Sequence, residues 1–301
     1  MTDTSAPARA LVNAFAIEQQ PDFYAAVMGG SKPLKARPGH IGLSSSLCQQ
    51  VHFTLDEYRH WMRAIGEPPR FHRKLWEWFF IIQTLFERGL LSNQRRGLAF
   101  AVGREPLPAL FAALGCSILA TDQAVEQARE QGWADTREHA SELAALANDA
   151  ICPRNLFYDR VGYRTVDMNA IPHDIAGYDF CWSSCAFEHL GSLERGLDFV
   201  ENAMRTLKTG GIAVHTTEFN LTSNEATFES ERLCIYRRCD IERLVDRLTR
   251  AGHRVAPLDF DRGPGFIENL VDLPPYQAAG HLALRLGPYD CTSIGLIIEK
   301  G

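Results

Sequence analysis

Residues 97–122, GLAFAVGREPLPALFAALGCSILATD, constrain this chain more than any other stretch. Leu98 to Val102 is a short apolar run closed by Gly103, and a run of that length reads as a buried strand. Pro106 stands where a first helical position belongs, a place where its missing N–H does no harm. Leu107, Leu110, Phe111 and Leu114 follow at helical spacing, and Gly115 is placed to stop the helix. A second apolar run, Ile118 to Ala120, leads to Asp122, 19 positions after Gly103. In open α/β sheets, strand, turn, helix, strand and acidic residue together hold a nucleoside. The turn lies against its middle and the carboxylate takes the ribose hydroxyls.

A dinucleotide fingerprint, G-x-G-x-x-G, begun at Gly103 would need glycines where Glu105 and Pro108 stand. The second of those glycines lets backbone approach a pyrophosphate, and Glu105 instead places a carboxylate near negative charge. The turn therefore suits a nucleoside ligand without phosphates, carrying positive charge. Glu105 has a second reading, as a favourable charge at a helix N-terminus.

Downstream, strands and helices alternate. Arg164 to Val166 reads as a third strand closed by Asp167-Met168-Asn169, and Tyr178 to Ser184 as a fourth. Ser192 caps a helix with Leu193, Leu197, Val200, Met204 and Leu207 inward, ended by Gly210-Gly211. Ile212 to Thr217 is a fifth strand, Asp240 to Ala251 a helix, and Arg254 to Leu258 and Ser293 to Ile298 two final strands. A polar helical region follows Asp122, and an Ala-rich helix is expected over 136–148. This alternation calls for a mostly parallel sheet with helices on both faces. The segment 260–290, with its glycines and prolines, is long enough to be a binding loop.

Upstream, residues 1–10 read as disordered. Thr54-Leu55-Asp56-Glu57 has the capping-box pattern and opens a helix. A second helix, over 71–89, is apolar nearly all round and so is expected to be buried on more than one side. Arg70, His72, Arg73 and Lys74 form the densest basic patch, read as the solvated face of that helix. The formal net charge of −6 argues against a nucleic-acid backbone as the main partner. The eight cysteines show no CxxC pair or zinc-ribbon spacing and read as reduced thiols of a cytoplasmic protein. No window reaches transmembrane length, and no basic-then-apolar leader opens the sequence.

Taken together, these residues resemble class I S-adenosylmethionine (SAM)-dependent methyltransferases. Four pieces carry the resemblance: AVGREP with Asp122, Val166 to Asn169, FCWSSCAFEH at 180–189, and RTLKTGG at 205–211. The likeness spans residues 97–220 well and the last two strands loosely. SAM, with its ribose, sulfonium and ammonium, meets the description of the ligand above. The resemblance implies an α/β fold with a Rossmann-like seven-stranded, mostly parallel sheet whose last strand is antiparallel. It also implies a cofactor-binding domain over 97–301, and it places residues 1–96 outside, as a helical acceptor-side cap.

In this reading the cofactor-binding set is Gly103, Arg104, Glu105, Asp122, Gln123, Asp167, Met168, Ser183 and Ser184. Trp133 and Met168 are candidates to sandwich the adenine. Methyl transfer to a hydroxyl needs alignment and a base near neutral pKa, which makes histidine the first candidate. His189, after the fourth strand, is the leading choice, with Glu218 beyond strand five and His281 in the late segment beside it. His215, inside strand five, is expected to face the core. No spacing in the sequence demonstrates a metal site, although Glu188, His189 and Glu218 are the types that would bind Mg²⁺. The expected acceptor is a small molecule or carbohydrate. A nicotinamide-dependent oxidoreductase and a non-catalytic module of the same fold are the competing readings.

Overall fold

The computed structural model describes residues 20–29, 37–125, 140, 142–276 and 280–301. The strands are β1 (Ser45–Leu47), β2 (Arg96–Ala99), β3 (Ser117–Asp122), β4 (Val161–Thr165), β5 (Tyr178–Ser184), β6 (Leu207–Asn220), β7 (Arg254–Val255), β8 (Leu258–Asp259), β9 (Val271–Asp272), β10 (Ala283–Leu286) and β11 (Tyr289–Glu299). The α-helices are α1 (Gln20–Val27), α2 (Gln50–Phe53), α3 (Asp56–Ala64), α4 (Arg73–Glu87), α5 (Leu107–Ala113), α6 (Arg154–Arg160), α7 (Leu193–Ala203) and α8 (Arg238–Arg250).

The expected count of seven strands becomes eleven among the described residues, joined in one mixed sheet. Its path runs β4-β3-β2-β5-β6-β11-β1-β8. The five strands from β4 to β6 pair in parallel, and β11 returns antiparallel against β6. Three of the added strands are very short, two or three residues each (β1, β8, β9), and alternation over so few positions leaves no periodic signal. The predicted strand 254–258 is split into β7 and β8, which pair with different partners.

Alternation along the central strands divides the apolar residues between two cores. Phe180, Trp182, Ile212 and Val214 pack on one face with α4 and α5. Cys181, Ala213, Leu296 and Ile298 pack on the other with α7 and α8. Helices therefore cover both faces, as period-two burial on both sides of a parallel sheet requires. Gly97, in β2, is small by necessity, since a Cβ there would sit 2.4 Å from the Phe180 ring.

The N-terminal part takes a direct share in this architecture. β1 pairs with β11, and α4 packs across β5, β6 and β11. The capping box predicted at Thr54 does not form. Leu55 is the N-cap without a side-chain bond, Thr54 donates back to Val51 O, and Glu57 instead accepts from Gly39 N at 2.9 Å. Gly210-Gly211 lie inside β6 rather than ending a helix, beside an irregularity in the register of β5 on β6. His215 is fully buried, in line with its alternation. Residues 1–10, Trp133 and positions 136–139 and 141 of the predicted helix 136–148 lie outside the described residues, as does most of the polar stretch after Asp122, and the described part of that helix holds only the short 3-10 turn Leu143–Leu146. Among the described residues no helix is long and apolar enough to cross a membrane.

Candidate active site

The chain leaves β2 for β3 and β4 on one side, then crosses to β5 and β6 on the other. The topological switch point is therefore between β2 and β5, and open sheets bind ligands outside the carboxyl ends of their strands there. The backbone confirms how tightly these two ends turn. Ala101 (φ 47°) and Gly103 (φ 52°) follow β2, and Cys185 (φ 46°) follows β5. Left-handed conformations at two non-glycine residues are held against their intrinsic preference, and such positions cluster at functional sites. A cavity of about 860 Å³ opens above them, within the range of small-molecule sites.

Beneath β2, β3 and β4 the wall includes Gly103, Arg104, Glu105, Asp122, Gln123, Asp167 and Met168. The buried Asp122 carboxylate accepts from Gly103 N at 3.0 Å, Gln123 N at 2.8 Å and Ala140 N at 3.4 Å. One side chain thus ties the glycine turn to the end of β3. Asp167 is exposed and caps a short 3-10 turn by accepting from Asn169 N, while Met168 behind it is buried.

Glu105 lines the cavity and is also buried. Its Oε1 accepts from Trp182 Nε1 at 2.6 Å. Burial pushes its pKa up to about 7, against the opposing pull of Lys74 and the Trp182 N–H. A carboxyl so poised is readily ionised by a cation brought into the cavity.

Ser184 lines the cavity and Ser183 does not, because neighbours on a strand point to opposite faces. Ser183 Oγ is buried on the far side, 2.8 Å from His215 Nδ1. Ser183 is thus the one member of the candidate cofactor set that does not line the cavity.

At the carboxyl ends of β5 and β6 the wall is built of titratable groups. His189 Nδ1 donates to Arg232 O at 2.6 Å, which makes Nε2 the basic nitrogen of the neutral ring. His281 places Nδ1 2.6 Å from Asp272 Oδ2 and stacks on His72 with ring centroids 4.8 Å apart. Burial, followed by the neighbouring His281, lowers the His72 pKa to about 3, so His72 stays neutral. Glu218 is buried and ion-pairs with Arg73. His189, Glu218 and His281 thus face one cavity, as do all the candidate cofactor residues except Ser183.

Helix α4 forms where the sequence predicts it, but its contribution to the cavity was not foreseen. The basic patch expected on a solvated face supplies His72, Arg73 and Lys74 to the cavity wall, with Glu77 one turn on. Lys74 Nζ lies 3.2 Å from Glu77 Oε2 and donates to Ser184 O at 3.1 Å. Glu77 also accepts from Ser293 Oγ at 2.6 Å and Cys185 Sγ at 3.0 Å. Burial alone would raise the Glu77 pKa, but Lys74, Arg73 and these donors outweigh it and the net shift is downward. A signal was present in the sequence. Glu77 interrupts a helix otherwise apolar nearly all round, and a buried charge must be paired.

No protein-family model and no curated protein matches the chain. Solved structures of similar architecture include the [4+2]-cyclase SpnF, at 20% identity and a TM-score of 0.43, covering 73% of this chain and 76% of that one. The glycopeptide N-methyltransferase MtfA is 14% identical, with a TM-score of 0.43, over 73% of this chain and 94% of its own. A DhpI–SAH complex is 14% identical, with a TM-score of 0.38, over 96% and 98%. Likeness at this level identifies neither a reaction nor a residue's role.

Proposed function

We propose that this chain is a SAM-dependent methyltransferase that methylates a hydroxyl of a small-molecule or sugar acceptor. The observation that supports it most is a single cavity at the switch point, with nucleoside-type groups under β2 to β4 and histidine bases under β5 and β6. The buried Asp122 at the end of β3 fits a ribose, Asp167 and Met168 fit an adenine, and Glu105 suits a cationic centre that brings no phosphate.

SAM supplies, when bound, an electrophilic methyl carbon on a sulfonium. The chain aligns an acceptor oxygen in line with that carbon and sulfur, which is where proximity contributes most. His189 Nε2, the basic nitrogen when Nδ1 donates to Arg232 O, would take the proton of the acceptor hydroxyl. His281, oriented by Asp272, positions the acceptor from the late segment. Residues 1–96 form the acceptor-side part, through His72, Arg73, Lys74 and Glu77, and 97–301 the cofactor-side domain.

Isothermal titration with S-adenosylhomocysteine tests the reading. Binding by the wild type, weakened about 100-fold or more in Asp122→Ala, is expected, since two hydrogen bonds to a charged acceptor are worth about 3 kcal/mol together. Tight NAD(H) binding without S-adenosylhomocysteine binding would refute it in favour of an oxidoreductase.

A further inference from the structure

Where β5 and β6 end, Cys185, Glu188 and Glu218 each place one donor atom within 4.8 Å of the others. Three features separate this cluster from an ordinary acidic patch. Glu188 and Glu218 are 0% and 5% exposed. Among the described residues, Glu188 Oε1 and Glu218 Oε2 are sealed from solvent and have no hydrogen-bond partner. Their companion atoms, by contrast, are held. Thr217 Oγ1 donates to Glu188 Oε2 at 3.0 Å, and Arg73 pairs with Glu218 Oε1. Outer groups that fix one oxygen of each carboxylate and leave the other for an ion are the usual second layer of a metal site.

We propose that Cys185, Glu188 and Glu218 bind one divalent transition-metal ion of the zinc class, with a fourth position open to the cavity. All three residues line the cavity, and bonds of about 2.0–2.3 Å would draw their donor atoms together around the ion. A triangle of 4.8 Å sides has its centre about 2.8 Å from each corner. Each donor therefore moves inward by under about 1 Å to reach zinc bond lengths. The thiolate selects zinc or cobalt over magnesium, which prefers oxygen alone. Binding displaces to solvent the proton that Cys185 Sγ donates to Glu77 Oε1, leaving a thiolate and two carboxylates on the ion, while Lys74, 3.2 Å from Glu77 Oε2, balances the Glu77 charge beside them. Three protein ligands and an open position are the arrangement of catalytic zinc, and an acceptor oxygen entering that position would be made more acidic. Ion binding itself does not depend on the methyltransferase reading.

The test uses the full, untagged chain. After incubation with zinc chloride and exhaustive dialysis, mass spectrometry should find one equivalent of zinc retained. Cobalt(II) titration should give a near-ultraviolet sulfur-to-cobalt charge-transfer band. Cys185→Ser should abolish that band, and Glu188→Gln, whose amide oxygen still accepts from Thr217, should weaken zinc affinity at least tenfold. Circular dichroism checks that both variants fold. Failure of the wild type to retain zinc, or absence of the cobalt band in it, would overturn the proposal. So would zinc and cobalt binding unchanged in folded Cys185→Ser and Glu188→Gln proteins. Titration with S-adenosylhomocysteine, run separately, reports on the cofactor reading alone.

Discussion

Glu105→Gln isolates the most unusual carboxyl in the molecule. Glu105 is buried, one oxygen takes the Trp182 N–H, and burial raises its folded-state pKa from 4.5 to about 7. A raised folded value means that the folded state disfavours the anion. The stability associated with the neutral carboxyl is therefore fully present below pH ~4.5 and is lost as pH rises through ~7. Linkage between those two values costs the wild type about 0.8 kcal/mol at pH 5 and about 3.4 kcal/mol at pH 8. Glutamine keeps an oxygen for Trp182 and cannot ionise, so it removes that dependence. Urea unfolding of both proteins at several pH values between 5 and 8 measures it. The variant should gain on the wild type by about 2–3 kcal/mol across that range, other titrations cancelling in the difference. Parallel curves for the two proteins would show that Glu105 does not titrate as its burial requires. A cation in the cavity reverses the effect, so SAM should bind the wild type more tightly at pH 8 than at pH 6, a trend that Glu105→Gln loses.

Two further outcomes follow from geometry. His189→Ala should lower turnover by roughly 10²–10⁴-fold while S-adenosylhomocysteine affinity stays as in the wild type, whereas His281→Ala should act mainly on the acceptor's KM. Steady-state kinetics with titration calorimetry separates the two. Gly97→Ala puts a Cβ 2.4 Å from the Phe180 ring and 2.8 Å from Ile118 Cδ1. Overpacking of that kind costs about 1–3 kcal/mol, visible as a lower midpoint in urea at unchanged slope.

The parts of the fold that sequence revealed are those where local chemistry and tertiary placement agree. β5 spans Tyr178–Ser184 as read, because a seven-residue buried run admits little else, and Ser192 caps α7 by accepting from Arg195 N. The run 98–102 is regular strand only as far as Ala99, because Ala101 turns left-handed, a choice its side chain does not signal, although Phe100 N still bonds to Trp182 O and Val102 N to Thr121 O. Pro106 became the N-cap of α5 rather than its first residue. Within the candidate site, Gly103, Asp122 and Asp167 were legible because a strand end and a turn announce them. The side chain of Ser183 turns away from the cavity because a one-residue step on a strand reverses the face. Lys74 and Glu77 were missed because their pairing with Ser184, Cys185 and Ser293 spans more than 100 positions and leaves no local pattern.

Helix α4 carries a consequence for how such a chain can diversify. Its first turns supply Arg73, Lys74 and Glu77 to the cavity, and its last turn holds the segment 41–43, whose backbone N–H groups bond to Glu87. The groups under β2 to β4 come from residues 101–169, whereas those beyond β5 draw on 72–78, 184–231 and 281. A change in α4 or in the late segment can therefore reshape what enters beside the histidines without disturbing the carboxylate at Asp122. The two halves of the cavity are written in separate stretches of the sequence, coupled chiefly through Lys74 and Glu105, so substitution elsewhere in one can leave the other's residues unchanged.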